Sequence, residues 1–153
     1  MKRLHKGLLF LVAGALSAAF ASDAIAQSGP YQYYAVPPCR FFDTRTVNPP
    51  VLTNFGTRTV NLIGKCGVPT GATAATLNVT ITQPTNPGYL ILYPYGITQP
   101  LVSTINFAPG DTIANGAIVP LTAGPTNNIS VYPELYGGGT IHLILDVTGY
   151  FAP

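Results

Sequence analysis

Few residues in this chain could do chemistry, and they gather in two places. PCRFFDTR, residues 38–45, sets Arg40, Asp43 and Arg45 beside Cys39. HLILDVTGYF, residues 142–151, holds His142 and Asp146. A hydrolase triad needs a nucleophile, a base and an orienting acid within hydrogen-bond reach. His142 and Asp146 fall on one face of an extended strand but four residues apart, or about 13 Å. Beyond residue 26 the serines are Ser28, Ser103 and Ser130, none of them in a G-x-S-x-G elbow. The residue pattern therefore gives a triad no support.

Metal and acid–base chemistry are no better supplied. Zinc needs three or four nitrogen or sulfur ligands, and beyond residue 26 there are only His142, Cys39 and Cys66. Calcium could draw on Asp43, Asp111 and Asp146, but no D-x-D-x-D loop is present. A glycosidase needs two carboxylates across a cleft. Asp43, Asp111, Glu134 and Asp146 are scattered, and Asp111 in APGD reads as a turn residue. No glycine-rich phosphate loop precedes a helix. The expectation is no catalytic residue, no metal and no cofactor.

The amino terminus has another reading. Lys2, Arg3 and Lys6 precede an apolar run, Gly7–Phe20, and Ala24-Ile25-Ala26 forms a small-x-small cleavage pattern. This is the layout of a secretory signal peptide over residues 1–26, and the run is short for a membrane span. Residues 27–153 then carry Arg40, Arg45, Arg58 and Lys65 against Asp43, Asp111, Glu134 and Asp146, a formal balance. Nucleic acid or an acidic membrane would need clustered positive charge, so neither is an expected partner. Export also puts Cys39 and Cys66 in an oxidising place, where a pair favours a disulfide. Closing that loop stabilises by about 3 to 4 kcal/mol in the chain-entropy picture.

The elements that must position these residues are strands. Proline and glycine recur every few residues, and the runs between them are rich in β-branched and aromatic types. Strands are expected at Tyr31–Val36, Arg40–Thr44, Thr57–Leu62, Ala74–Thr82, Tyr89–Tyr95, Val102–Phe107, Ala117–Leu121, Asn128–Tyr132 and Thr140–Tyr150. GVPTGA, QPTNPG, APGD, TAGPTNN and YGGG supply the turns. Such a pattern predicts one all-β domain over residues 37–153, an antiparallel β-sandwich or barrel. Residues 27–36 form an amino-terminal extension strand. Alternation puts Phe41, Asp43 and Arg45 on one face, from which Asp43 or Arg45 is expected to reach Asp146 or nearby backbone. It also lines up Tyr89, Ile91, Tyr93 and Tyr95, a face that could stack sugars or pack as core. PTNPGYLILYPYG (84–96) and PTNNISVYPELYG (125–137) echo each other.

PCRFFDTR, CGVPTGATAATLNVTIT, GYLILYP, PLVSTINF, ANGAIVPL, ISVY and HLILDVTGYF occur in that order. Together they resemble a family of exported bacterial domains with PCR-x-x-DTR near the start and DVxGYF at the end. The resemblance spans residues 37–151 and implies export and an all-β fold, with no established activity. The residues and the resemblance together point to a non-enzymatic secreted module, structural or adhesive, whose partners are other extracellular proteins or itself. Two alternatives are a carbohydrate-binding module using the tyrosine face and a self-assembling filament or surface-layer subunit.

Overall fold

The computed structural model describes residues 30–126 and 128–153, so the expected signal peptide, residues 1–26, lies outside the described residues. Among the described residues there are nine strands and no helix: β1 (Gln32–Asp43), β2 (Leu52–Thr53), β3 (Arg58–Val60), β4 (Ala74–Thr82), β5 (Gly88–Pro94), β6 (Ile105–Phe107), β7 (Thr112–Pro120), β8 (Ile129–Leu135) and β9 (Thr140–Ala152). They form two antiparallel sheets. One runs β1-β9-β4-β7, with β2 on β9; the other runs β3-β8-β5-β6. The sheets do not join into a barrel, and the fold is a single-domain β-sandwich.

Side chains alternate across a strand, so each sheet turns every second residue inward. β4 contributes Ala75, Leu77, Val79 and Ile81, and β9 contributes Ile141, Leu143, Leu145 and Val147. Leu90 and Leu92 of β5 and Ile129, Val131 and Leu135 of β8 meet them from the other sheet. Burying each such side chain contributes about 1.5 to 3 kcal/mol. The echo segments become β5 and β8, which lie side by side with Gly88 opposite Leu135 and Pro94 opposite Ile129. Gly88 must lack a side chain, because a Cβ there would stand 2.0 Å from the Glu134 carbonyl oxygen.

Beyond shifts of one to three residues at strand ends, three elements differ from expectation. The two strands expected at 31–36 and 40–44 are one strand, β1, because Pro37-Pro38 interrupts the pairing between Ala35 and Cys39 without turning the chain. β7 begins at Thr112 rather than Ala117. Asn115-Gly116 looks like a turn, yet unbroken pairing with Val79 and Asn78 of β4 keeps it extended. β2 is too short to leave a periodic signal.

Two fasteners hold the long connections. Cys39 and Cys66 are disulfide-bonded with Cα atoms 5.8 Å apart, fixing the 61–73 loop to β1. Asn128, fully buried, ties three segments together. Its Oδ1 accepts from Leu62 and Ile63 N–H at 3.0 and 2.9 Å, and its Nδ2 donates to the Thr122 and Gly124 carbonyls at 3.0 and 2.9 Å. Asn128→Ala would strand buried donors and acceptors at about 1 to 3 kcal/mol each. We expect a loss of at least about 3 kcal/mol in chemical denaturation, against under about 1 kcal/mol for exposed Asn115→Ala. Similar small losses from both would refute the knot. Mass spectrometry of unreduced, folded protein should find no alkylatable thiol, and two would refute the bridge.

Candidate functional site

The opening motif and the closing motif meet. β1 and β9 pair with Arg40 opposite Asp146 and Phe42 opposite Leu145, leaving Phe41 as an extra residue in a bulge. Both phenylalanines are thereby buried. The bulge also brings Arg40 and Asp43, three residues apart, to the same face. Simple alternation, which grouped Phe41 with Asp43 and Arg45, fails there for that reason.

On that face four charges alternate in sign. Arg40 grips Asp146 with two bonds, Nε to Oδ1 at 2.8 Å and Nη2 to Oδ2 at 3.1 Å. Its Nη1 lies 3.5 Å from Asp43 Oδ2. Arg45 grips Asp43 in the same two-pronged way, at 3.0 and 2.8 Å, and the Arg45 backbone N–H adds a third bond at 2.9 Å. Asp43 is only 2 % exposed, so its charge depends on these donors. The Arg45 guanidinium, ahead of all other influences, pulls its carboxyl down to about 2, against the upward push of burial. The expected tie to Asp146 therefore exists, but Arg40 makes it, not Asp43 or Arg45. Fork-to-fork geometry explains why arginine stands at both positions.

Between the charges, Thr44 locks the strands. Its N–H donates to the Leu143 carbonyl at 3.0 Å, and its hydroxyl accepts from Leu143 N–H at 2.9 Å. The same hydroxyl lies 3.1 Å from His142 Nδ1. His142 is thus held by a threonine rather than by an acid. Further along, Tyr33 packs on Gly149 and meets Phe151 at 5.3 Å, and Tyr34 stacks on Tyr150 at 5.2 Å. The polar side chains Arg40, Thr44, His142 and Asp146 join the two segments, while Phe41, Phe42, Leu143, Leu145 and Val147 fill the core.

A second surface is built differently. The outer face of the other sheet carries Tyr89 and Ile91 from β5 beside Glu134 and Tyr132 from β8. Tyr89 donates a hydrogen bond to Glu134, which raises its phenol to about 12. Tyr136 follows at the end of β8, 60 % exposed and edge-on to Tyr89 at 6.2 Å. Phe55, 59 % exposed, stands 6.2 Å from Tyr132 with its backbone in the left-handed region at φ 58°. That conformation is disfavoured for an aromatic residue by about 1 to 2 kcal/mol. A shallow cleft of about 280 Å³ opens alongside, among Tyr89, Ile91, Gln99, Leu101 and Asn106.

The expected tyrosine face is therefore divided. Tyr89 borders the cleft and Tyr95 is exposed beyond the end of β5, but Tyr93 is buried at 7 %. Tyr93 and Ile91 point away from the core between the sheets; Tyr93 borders a groove shared with Ile97, Pro100 and Val102. Alternation alone could not find that arrangement, since the covering loop has no period. Phe55, Tyr132 and Tyr136 escaped notice too, and Glu134 entered only as a scattered carboxylate, although Y-P-E-L-Y places its outward residues at the spacing of a strand face. Compared with known proteins, the chain matches no family model, no curated protein and no solved structure.

Asp43 gives a pH test. Its folded carboxyl titrates at about 2, below the value of about 3.9 for an unfolded aspartate. Its contribution is then complete above about pH 4 and disappears as pH falls through about 2. The stability difference between wild type and Asp43→Asn should stay level from neutral pH to about 4 and shrink below. Shrinkage beginning near pH 6 would contradict this assignment. Arg45→Ala, which leaves a buried carboxylate short of donors, should cost about 2 to 3 kcal/mol. Lys65→Ala should cost almost nothing, and equal small losses would mean a merely solvated cluster.

Proposed function

We propose that the chain is a non-enzymatic structural or adhesive β module of the cell exterior, exported by residues 1–26, and a member of the domain family its two motifs resemble. One observation carries the reading. The residues best suited to chemistry are already engaged: Arg40 with Asp146 and His142 with Thr44 across the β1–β9 junction, and Asp43 with Arg45 beside it. Among the described residues, no three His, Cys, Asp or Glu side chains gather as metal ligands. The disulfide fits an oxidising compartment.

A specific arrangement favours a second reading, a carbohydrate-binding module. Exposed rings with hydrogen-bonding groups at their edges suit a sugar, which presents an apolar face and a rim of hydroxyls. Tyr136 and Phe55 supply exposed rings and half-buried Tyr89 a third, while Glu134, bonded to Tyr89, and Gln99 and Asn106 of the cleft supply polar groups. On this reading Tyr136→Ala lowers binding on a glycan array at least tenfold and leaves the melting temperature within a few degrees. Tyr93→Ala instead damages the fold, by about 3 kcal/mol or more, because that ring is buried. Wild-type protein that binds no glycan, or Tyr136→Ala that binds as well as wild type, would remove the sugar reading.

A further inference from the structure

A sheet edge presents unpaired main-chain groups, and proteins blunt such edges with short strands, charges, prolines or bulges. Among the described residues, three of the four outer edges are blunted. β1 has Pro37, Pro38, Arg40 and two breaks in register, and β2, on the same side of β9, is two residues long. β3 and β6 have three residues each. β7 is unlike them. It runs nine residues, TIANGAIVP, with no charge and no break in its pairing to β4, and its one proline comes last.

The free groups follow from parity. Leu121 N–H donates to the Thr73 carbonyl at 2.8 Å, and the Asp111 carbonyl accepts from Gln83 at 3.1 Å. Odd-numbered residues of β7 therefore turn their main-chain groups toward β4, and even-numbered ones turn theirs outward. The outward set is Thr112, Ala114, Gly116, Ile118 and Pro120, and all five are exposed. Pro120 sits where a missing N–H costs β4 nothing.

We propose that β7 docks on β7 of a second copy of this chain, antiparallel about a two-fold axis through Gly116. In that register the outward groups of Gly116 face their own counterparts, Ala114 lies opposite the partner's Ile118, and Thr112 opposite the partner's Pro120. About eight main-chain hydrogen bonds can form. The strand has no charge, so self-pairing brings no like charges together, and the two Asp111 residues lie at opposite ends. Ile118, 65 % exposed, gains a small partner to cover. Ile97 and Val102, exposed on the rim of the groove along Ala117–Pro120, are sheltered by the incoming strand. The first-strand extension, paired on one side with Gly149–Ala152 of its own chain, offers a shorter outer edge, because Pro37-Pro38 interrupts it. The proposal does not rest on the sugar reading, although Pro100 and Val102 border both this groove and the cleft beside Tyr89.

Sedimentation of oxidised protein comprising residues 27–153 tests this. The wild type should sediment as a dimer. Ala114→Pro, which removes an outward N–H but no bond to β4, and Ile118→Lys should each weaken the dimer at least tenfold. Their circular dichroism should match wild type, and Ile118→Lys alone decides if the proline variant fails to fold. Gly116→Cys, whose side chain would enter open space and whose thiol would be the one unpaired sulfhydryl, should cross-link two chains on oxidation. Thr80→Cys, on the same face of β4, should not. A wild type that is monomeric at its highest soluble concentration, or a dimer that survives both edge variants, overturns the proposal.

Discussion

The rest of the structure depends on the pairing of the first strand with the last. β9 sits between β1 and β4 and supplies four of the innermost side chains, so whatever displaces β1 uncovers the core on that side. Joining two strands so far apart in sequence carries a loop-closure cost. The cost is met by fasteners concentrated along one ladder: the Arg40–Asp146 fork, the reciprocal bonds of Thr44 with Leu143, and the ring contacts of Tyr33 and Tyr34. The disulfide adds a covalent tie from the same strand.

This division of labour separates the two sheets. The β1-β9-β4-β7 sheet and its border hold the linked charges Arg40, Asp43, Arg45 and Asp146 and give them structural work. The β3-β8-β5-β6 sheet holds exposed rings whose packing does not require them to be so exposed, with Phe55 in a conformation its side chain disfavours. The Phe55 turn is bonded to β8, its N–H donating to the Pro133 carbonyl at 2.9 Å, so the exposure of the ring rather than the backbone strain is the reason to look for a ligand there. The free β7 edge lies at the far side of the first sheet from the ion pairs, and its groove meets the cleft of the second sheet at Pro100 and Val102.

Much of the fold was legible in local pattern. Alternation along Ala74–Thr82 and Thr140–Tyr150, bounded by proline and glycine, is enough to place two buried strands and to predict a sandwich or barrel. The disulfide followed from compartment and count. What escaped was long-range. The bulge at Phe41 moved the ion pair from Arg45 to Arg40, and a period of two cannot reveal a bulge in advance. Asn128 looked like the start of a strand, because its four hydrogen bonds go to residues up to 66 positions away. The burial of Tyr93 depends on a loop without periodicity. In each case the deciding interaction joined segments whose proximity only the folded chain establishes.

The central claim is that the two motifs act on each other, and a double-mutant cycle on Arg40 and Asp146 measures that directly. Arg40→Ala, Asp146→Ala and the double variant would be compared with wild type by equilibrium unfolding at neutral pH. The account predicts coupling of about 1 kcal/mol or more, so that the double variant loses less than the sum of the two single losses. Strictly additive losses would mean that the bonded geometry carries no shared energy, and that the two motifs are held together by something other than each other.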